Sequence, residues 1–132
     1  MLNLIALVAC AAVVLARIPP DLTCYQTGTG PASMCEPFIC DFCKGVAQIK
    51  LNVGESSGAC YNLYTGHKCD FTAFNTGNTT ATPSEEACNA ALWTTTASCN
   101  LGGFGKMVWT PGPYTFGVDP EFGSCSLTGR GC

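Results

Sequence analysis

The chain has 132 residues, a formal net charge of −3 and 11% charged residues, against about 25% in an average soluble protein. This length fits one domain, and the absence of any cluster of Lys and Arg argues against nucleic acid as a partner. Eleven cysteines in so short a chain are typical of a secreted protein held together by disulfides.

Residues 1–16 have the pattern of a secretory signal peptide. They form an uncharged apolar run that is shorter than the roughly 20 residues needed to span a bilayer. The small side chains of Val14 and Ala16 suit cleavage after Ala16. The alternative is a buried N-terminal helix, which Arg17-Ile18-Pro19-Pro20 would end abruptly. We therefore expect one domain at residues 17–132, secreted and without stable membrane insertion.

The number of cysteines agrees with this cleavage. Cys10 lies in the signal peptide, so the mature chain keeps ten cysteines, an even number that predicts five disulfides. Their pairing stays open, because even eight cysteines allow roughly a hundred connectivities. The ten cysteines predicted to form disulfides are Cys24, Cys35, Cys40, Cys43, Cys60, Cys69, Cys88, Cys99, Cys125 and Cys132.

The first half of the mature chain predicts a strand, a helix and a hairpin. A short β-like run at Leu22–Gln26 ends in glycine- and proline-rich turn residues. Apolar side chains then recur at helical spacing from Pro37 to Leu51. Two β-rich segments follow, Ala59–Tyr64 and Lys68–Asn75, and Gly66 between them is typical of a short hairpin loop.

The second half begins with a clear helix start. Thr82 is the predicted N-cap, Pro83 the first helical residue and Glu85 the partner in a capping box. Gly102-Gly103 is predicted to end this helix with a left-handed C-cap. The polar loop before the helix contains Asn78, the acceptor of the N-glycosylation sequon Asn78-Thr79-Thr80.

Two strand-like runs complete the prediction, Lys106–Thr110 and Tyr114–Val118, joined by a Pro-Gly-Pro turn. The order β, α, β-β, α, β-β favours an α+β fold. We predict a mainly antiparallel sheet of about four to five strands with two packed helices, in a single domain stapled by disulfides.

The residue types give little support to catalysis. His67 is the single histidine and no Gly-x-Ser-x-Gly or similar context surrounds any serine, so a nucleophile–base pair is disfavoured. Cys40-Asp41-Phe42-Cys43 resembles a redox pair, but oxidised structural cysteines are the better interpretation in a secreted chain. Oxidised cysteines and one histidine also disfavour zinc. We predict no enzyme activity, no metal and no cofactor, although a glycosidase built on two carboxylates stays an open alternative.

Carbohydrate binding is physically reasonable for this composition, because aromatic rings stack on the apolar faces of sugars while polar groups bond their hydroxyls. Trp109 and Tyr114 flank the Pro-Gly-Pro turn and are predicted to be exposed. Strand alternation places Asp70 outward, opposite to Cys69. The predicted ligand-binding residues are Tyr64, His67, Asp70, Phe74, Trp109 and Tyr114.

Several local patterns resemble a known family. The most specific is Gly66–Thr76, GHKCDFTAFNT, and it is followed by Pro83 with Cys88-Asn89-Ala90-Ala91-Leu92. Gly102-Gly103-Phe104-Gly105 and then Tyr114-Thr115-Phe116 with Gly123-Ser124-Cys125 extend the pattern. Over roughly residues 35–125 the chain resembles the small secreted glycan-binding proteins, or lectins, of mushrooms.

The resemblance implies a fungal secreted lectin with a compact disulfide-rich α/β fold and without catalytic activity. It implies glycans containing N-acetylgalactosamine as the ligand class, and a homodimer that shares a binding cavity. Two other classes stay open. One is a secreted effector or killer-toxin-like protein that acts on a membrane or protein target. The other is a protease inhibitor with an exposed loop at Thr27–Pro31 or Thr110–Tyr114.

Overall fold

The structure, a computed structural model, describes residues 21–107 and 112–126. Within these ranges the chain forms one five-stranded antiparallel sheet with two helices, so the predicted α+β class is confirmed. The strands lie in the order β1-β4-β5-β3-β2. Their bounds are β1 Thr23–Cys24, β2 Ser56–Asn62, β3 His67–Asn75, β4 Gly103–Gly105 and β5 Tyr114–Phe122.

The first helical segment, counted with its 3-10 turn, begins before the predicted Pro37 and ends before the predicted Leu51. A 3-10 helix at Ala32–Phe38 leads into α1 at Ile39–Val46. The predicted extension to Leu51 is wrong, because the backbone of Leu51 forms an antiparallel bridge with Ala81, with N···O distances of 2.9 and 3.1 Å. A residue in such an extended bridge cannot also continue a helix.

The second helix, α2, spans Glu85–Ser98. Its N-cap is Ser84 rather than the predicted Thr82, since the Ser84 hydroxyl accepts a hydrogen bond from the Ala87 N–H at 3.2 Å. Gly102 has a φ of +83° just after the helix, and a Cβ there would lie 2.3 Å from the Val118 carbonyl oxygen. Glycine is therefore required at Gly102 by both its backbone angle and its close approach to β5.

The last two strands differ from the prediction. β4 is formed by Gly103–Gly105, and the two described residues of the predicted Lys106–Thr110 strand lie in no strand. β5 continues past Val118 to Phe122, through Pro120. β4 pairs with β5 only as far as Val118, so Pro120 lies beyond that ladder, where the missing N–H of proline is tolerated.

The core lies between the helices and one face of the sheet, which we call the inner face. Alternate residues of β3 and β5, including Phe71 and Phe116, are at most 4% exposed. They pack against buried apolar side chains of the helices, such as Phe42 of α1 and Leu92 of α2. The Phe42 and Phe71 rings stack with centroids 5.2 Å apart.

Eight of the ten predicted disulfide cysteines form four bridges, namely Cys24–Cys99, Cys35–Cys69, Cys43–Cys88 and Cys60–Cys125. Among the described residues Cys40 alone carries a free thiol, so its predicted bridge is absent there. Cys40 is exposed on α1, whereas Cys43 of the same helix is buried and reaches α2. Cys132 lies outside the described residues.

We predict that Cys40 pairs with Cys132 in the mature protein. Tyr61 donates a hydrogen bond to Asp41 at 2.8 Å, which places the Cys60–Cys125 bridge close to the start of α1. The seven residues after Cys125 can span about 25 Å. Non-reducing peptide mapping should recover a Cys40–Cys132 peptide and no alkylated thiol. An alkylated Cys40 in the folded, secreted protein would contradict the prediction.

Candidate functional site

The sheet has a second face, opposite to the core and the helices, which we call the outer face. Its residues are half-buried or exposed, and in β3, β4 and β5 they alternate with buried residues. It consists of Ser56, Gly58, Cys60 and Asn62 of β2, Lys68, Asp70, Thr72 and Phe74 of β3, Phe104 of β4, and Thr115, Gly117, Asp119 and Glu121 of β5.

The centre of the outer face is made of small residues with aromatic rings beside them. Gly117 of β5 is paired with Thr72 on one side and with Phe104 on the other. Phe74 and Phe104 are 39% and 38% exposed, which leaves much of each ring open to solvent. The Tyr25 ring lies 6.1 Å from that of Phe104. The result is a shallow surface that offers ring faces and a hydroxyl to a ligand.

Charged groups collect where β3 and β5 run side by side. The Lys68 ammonium lies 2.7 Å from an Asp70 oxygen and 3.3 Å from a Glu121 oxygen. Asp119 is directly opposite Asp70 in the strand register. Burial raises the pKa of the Asp119 carboxyl to about 6, and the nearby carboxylates of Glu121 and Asp70 add to this.

A cavity of about 470 Å³ lies at this charged end, and we call it the carboxylate cleft. It is lined by Tyr25, Thr27, Gly28, Thr29, Asp119, Glu121 and Phe122. Burial, followed by the Asp119 and Glu121 carboxylates, raises the pKa of the Tyr25 hydroxyl, so this hydroxyl keeps its proton. The cleft therefore combines two aromatic rings, hydroxyl groups and carboxylates, which are the groups that hold sugars.

The structure places four of the predicted ligand-binding residues at the surface. Asp70 and Phe74 are on the outer face, as strand alternation predicts. Tyr64 is fully exposed in the loop between β2 and β3. His67 begins β3, where its Nδ1 lies 3.0 Å from the Thr65 hydroxyl and its ring 4.5 Å from that of Phe122. Phe122 also lines the carboxylate cleft, so His67 packs against a wall of the cleft without lining the cleft itself.

The predicted exposure of Tyr114 is wrong. Tyr114 is 4% exposed and lies on the inner face in the same alternation as Phe116. Its hydroxyl donates a hydrogen bond to the Ala81 carbonyl oxygen at 2.5 Å. Tyr114 is therefore a core residue that cannot contact a ligand without leaving the fold. The other residue predicted beside that turn, Trp109, lies outside the described residues.

Sequence reasoning missed Tyr25, Phe104, Asp119 and Glu121 as site residues. The alternation of Phe116, Val118 and Pro120 could have placed the two carboxylates outward, but the predicted strand ended at Val118. Tyr25 and Phe104 are brought to the site only by the pairing of β1 with β4 and of β4 with β5. No local pattern in the sequence signals these pairings.

A second cavity, of about 450 Å³, lies between α1 and the edge strand β2. Its lining is mostly apolar, and it contains none of the predicted ligand-binding residues. In the described part of the chain no three His, Cys, Asp or Glu side chains are placed to hold a metal ion. The helices of residues 21–107 and 112–126 are also too short or too polar to cross a membrane.

The loop between β3 and α2 contains the predicted glycosylation site. Asn78 is exposed, as are the two threonines that follow it in the sequon. The side chain is therefore accessible to modification. Glycosylation of Asn78 stays a prediction.

These features define a small binding module, an α+β domain stapled by disulfides that leaves one face of its sheet open. Residues 34–125 match the family model described as glycan binding domain Y3. An antiviral protein of Coprinus comatus, CAP, is 36% identical over 97 residues, which are 70% of this chain and 91% of that protein. The chain belongs to this family of glycan-binding domains, and the predicted resemblance to fungal lectins is confirmed.

Proposed function

We propose that the protein is a secreted lectin that binds glycans containing N-acetylgalactosamine on its outer face and catalyses no reaction. The observation that carries the proposal is the outer face itself. In a chain of a glycan-binding family, it presents exposed aromatic rings beside carboxylate and hydroxyl groups. The uncharged first 16 residues and the four disulfides support secretion.

The chemistry of the outer face suits a sugar. Phe74 and Phe104 offer ring faces on which the C–H groups of a pyranose can pack. The carboxylates of Asp70 and Glu121 accept hydrogen bonds from sugar hydroxyls, and the Thr72 hydroxyl between the rings can donate or accept. An N-acetyl group adds an amide N–H for such an acceptor and a methyl group for a ring.

The arrangement of the carboxyl groups supports binding rather than hydrolysis. Retaining glycosidases place two carboxyl groups about 5–5.5 Å apart on either side of the scissile bond, and inverting enzymes place them farther apart. Asp119 and Glu121 lie two residues apart on one strand, β5, so both carboxyl groups approach a bound sugar from the same face of the sheet. The Nδ1 of His67 lies within hydrogen-bond distance of its neighbour Thr65, at 3.0 Å from the hydroxyl and 3.2 Å from the carbonyl oxygen.

A glycan array tests the proposal. Folded, fluorescently labelled protein should bind glycans that end in N-acetylgalactosamine above the background of the same array without protein. Binding confined to glycans without this sugar would refute the proposed ligand class, but the proposal that the protein is a lectin would stand. No binding to any glycan would refute the lectin and favour the alternative, a secreted effector that acts on a membrane or protein target.

The proposal includes a homodimer, which the family resemblance implies. Sedimentation equilibrium at micromolar concentrations should give twice the mass of the mature chain. A single species of monomer mass over that range would remove the homodimer from the proposal and leave the glycan site unchanged.

A further inference from the structure

The carboxylate cleft opens beside the outer face, so its charge acts on any glycan bound there. Its rings, Tyr25 and Phe122, and its hydroxyls, Thr27 and Thr29, are uncharged. A volume of about 470 Å³ falls within the usual range of small-ligand sites. A glycan on the outer face can therefore extend a sugar residue into the cleft.

The charges at this end are strongly unequal. The loop at residues 25–29 contributes no charge, β5 contributes Asp119 and Glu121, and β3 contributes Lys68 and Asp70. Among the residues that the structure describes at this end, three carboxylates thus face one ammonium group. That ammonium already lies 2.7 Å from Asp70 and 3.3 Å from Glu121, so its charge is compensated within the protein.

We infer that the carboxylate cleft makes the glycan site selective for uncharged glycans and rejects those that carry sialic acid, sulfate or a uronic acid near the bound sugar. This inference rests on the proposed function. A neutral sugar brings hydroxyl donors, which the cleft carboxylates accept. An anionic group brings only acceptors and is repelled by the carboxylates of Asp119, which is half-buried, and Glu121, which is exposed. The cleft thus contributes specificity by repelling anionic glycans. Protein interfaces reject wrong partners in the same way when they place like charges opposite each other.

The test uses one peptide that carries O-linked N-acetylgalactosamine, prepared with and without a terminal sialic acid. At a pH of about 7.5, above the pKa of about 6 of Asp119, the cleft carboxylates are ionised. The neutral glycopeptide should bind at least about tenfold more tightly than the sialylated one, a ratio like those that charge juxtaposition gives at interfaces. If the array identifies a different neutral glycan, that glycan and its sialylated form replace this pair.

The variant Asp119→Asn with Glu121→Gln removes the two cleft charges and should reduce the discrimination to less than about threefold. Glu85→Gln with Glu86→Gln, in the exposed first turn of α2, changes the net charge equally and should keep the full discrimination. Salt provides a readout on the native protein. Raising salt from about 10 mM to about 1 M shortens the Debye length from roughly 30 to roughly 3 Å and should bring the two affinities together.

The outcomes separate the inference from the proposed function. Equal binding of the neutral and sialylated glycopeptides, or array hits confined to anionic glycans, would overturn the inference while the lectin stands. Discrimination that survives both the charge removal and high salt would also overturn it. If the double variant binds neither glycopeptide, the salt dependence of the native protein decides whether the inference stands. Affinities for the two glycopeptides that converge at high salt support it, and affinities that stay apart overturn it. No glycan binding at all would overturn the proposed function and the inference together.

Discussion

Thr72→Arg is expected to weaken glycan binding by at least about tenfold, or about 1.4 kcal/mol, without lowering thermal stability. Thr72 is exposed at the middle of the outer face and pairs with Gly117 of β5 and Gly58 of β2. Its two neighbours have no side chain beyond hydrogen, so a long side chain at Thr72 lies across the space where a sugar would pack. Isothermal titration calorimetry with the best glycan from the array measures the loss, and circular dichroism during heating measures stability.

Two controls isolate this steric effect. Thr72→Ser keeps the hydroxyl and adds no bulk, and it should bind within about twofold of the native protein, in line with the small effects of conservative surface changes. Ala97→Arg adds the same charge on the exposed side of α2, on the helix side of the sheet, and should also bind normally. Native affinity in Thr72→Arg would show that the ligand does not lie on the centre of the outer face.

Replacing both Cys43 and Cys88 by alanine is expected to lower the free energy of unfolding by about 4 kcal/mol. This bridge closes a loop with a sequence separation of 45, and both cysteines are completely buried. It joins α1 to α2, so its loss both frees the unfolded chain and loosens the contact between the two helices that cover the sheet. Because domains of this size have a free energy of unfolding of only about 5–15 kcal/mol, the expected loss is a large share of the total stability. Urea denaturation at low temperature measures it.

A second bridge serves as the comparison. Cys60–Cys125 closes a longer stretch, with a separation of 65, but both cysteines are only half-buried. If loop closure alone stabilises the fold, removing Cys60–Cys125 should cost slightly more, since the cost grows with loop length. We expect the Cys43–Cys88 pair to cost more, because its sulfurs also fill the core. A loss below about 1 kcal/mol for Cys43 and Cys88 would contradict the prediction.

Local signals in the sequence predicted much of the fold. The apolar stripe of Ile39, Phe42 and Val46 identified α1, and all three residues are buried. Glycine and alternation identified the β2–β3 hairpin, in which Gly66 has a φ of +74°. These features depend on neighbours within a few residues, and short-range sterics and periodicity are what a sequence expresses directly.

The predictions from sequence were wrong where contacts between distant parts of the chain override local preference. Tyr114 lies beside a turn and was predicted to be exposed, yet it donates a hydrogen bond to Ala81 and joins the core. β4 is built largely of glycine, which has low strand propensity. It exists because Gly103 can approach β1 so closely that a Cβ there would lie 2.3 Å from the Thr23 carbonyl oxygen.

The sequence by itself determined the class of protein. Cysteine content, the apolar N-terminal run and the motif from Gly66 to Thr76 predicted a disulfide-stapled member of a glycan-binding family, and the alternation of β3 placed Asp70 and Phe74 outward. Only the tertiary structure decided which residues join them. The Tyr25 ring and the Asp119 carboxyl belong to segments almost a hundred residues apart, and they meet because β1, β4 and β5 are neighbours in one sheet. Strand pairing of this kind depends on the packing of the whole chain, which no local stretch of sequence specifies.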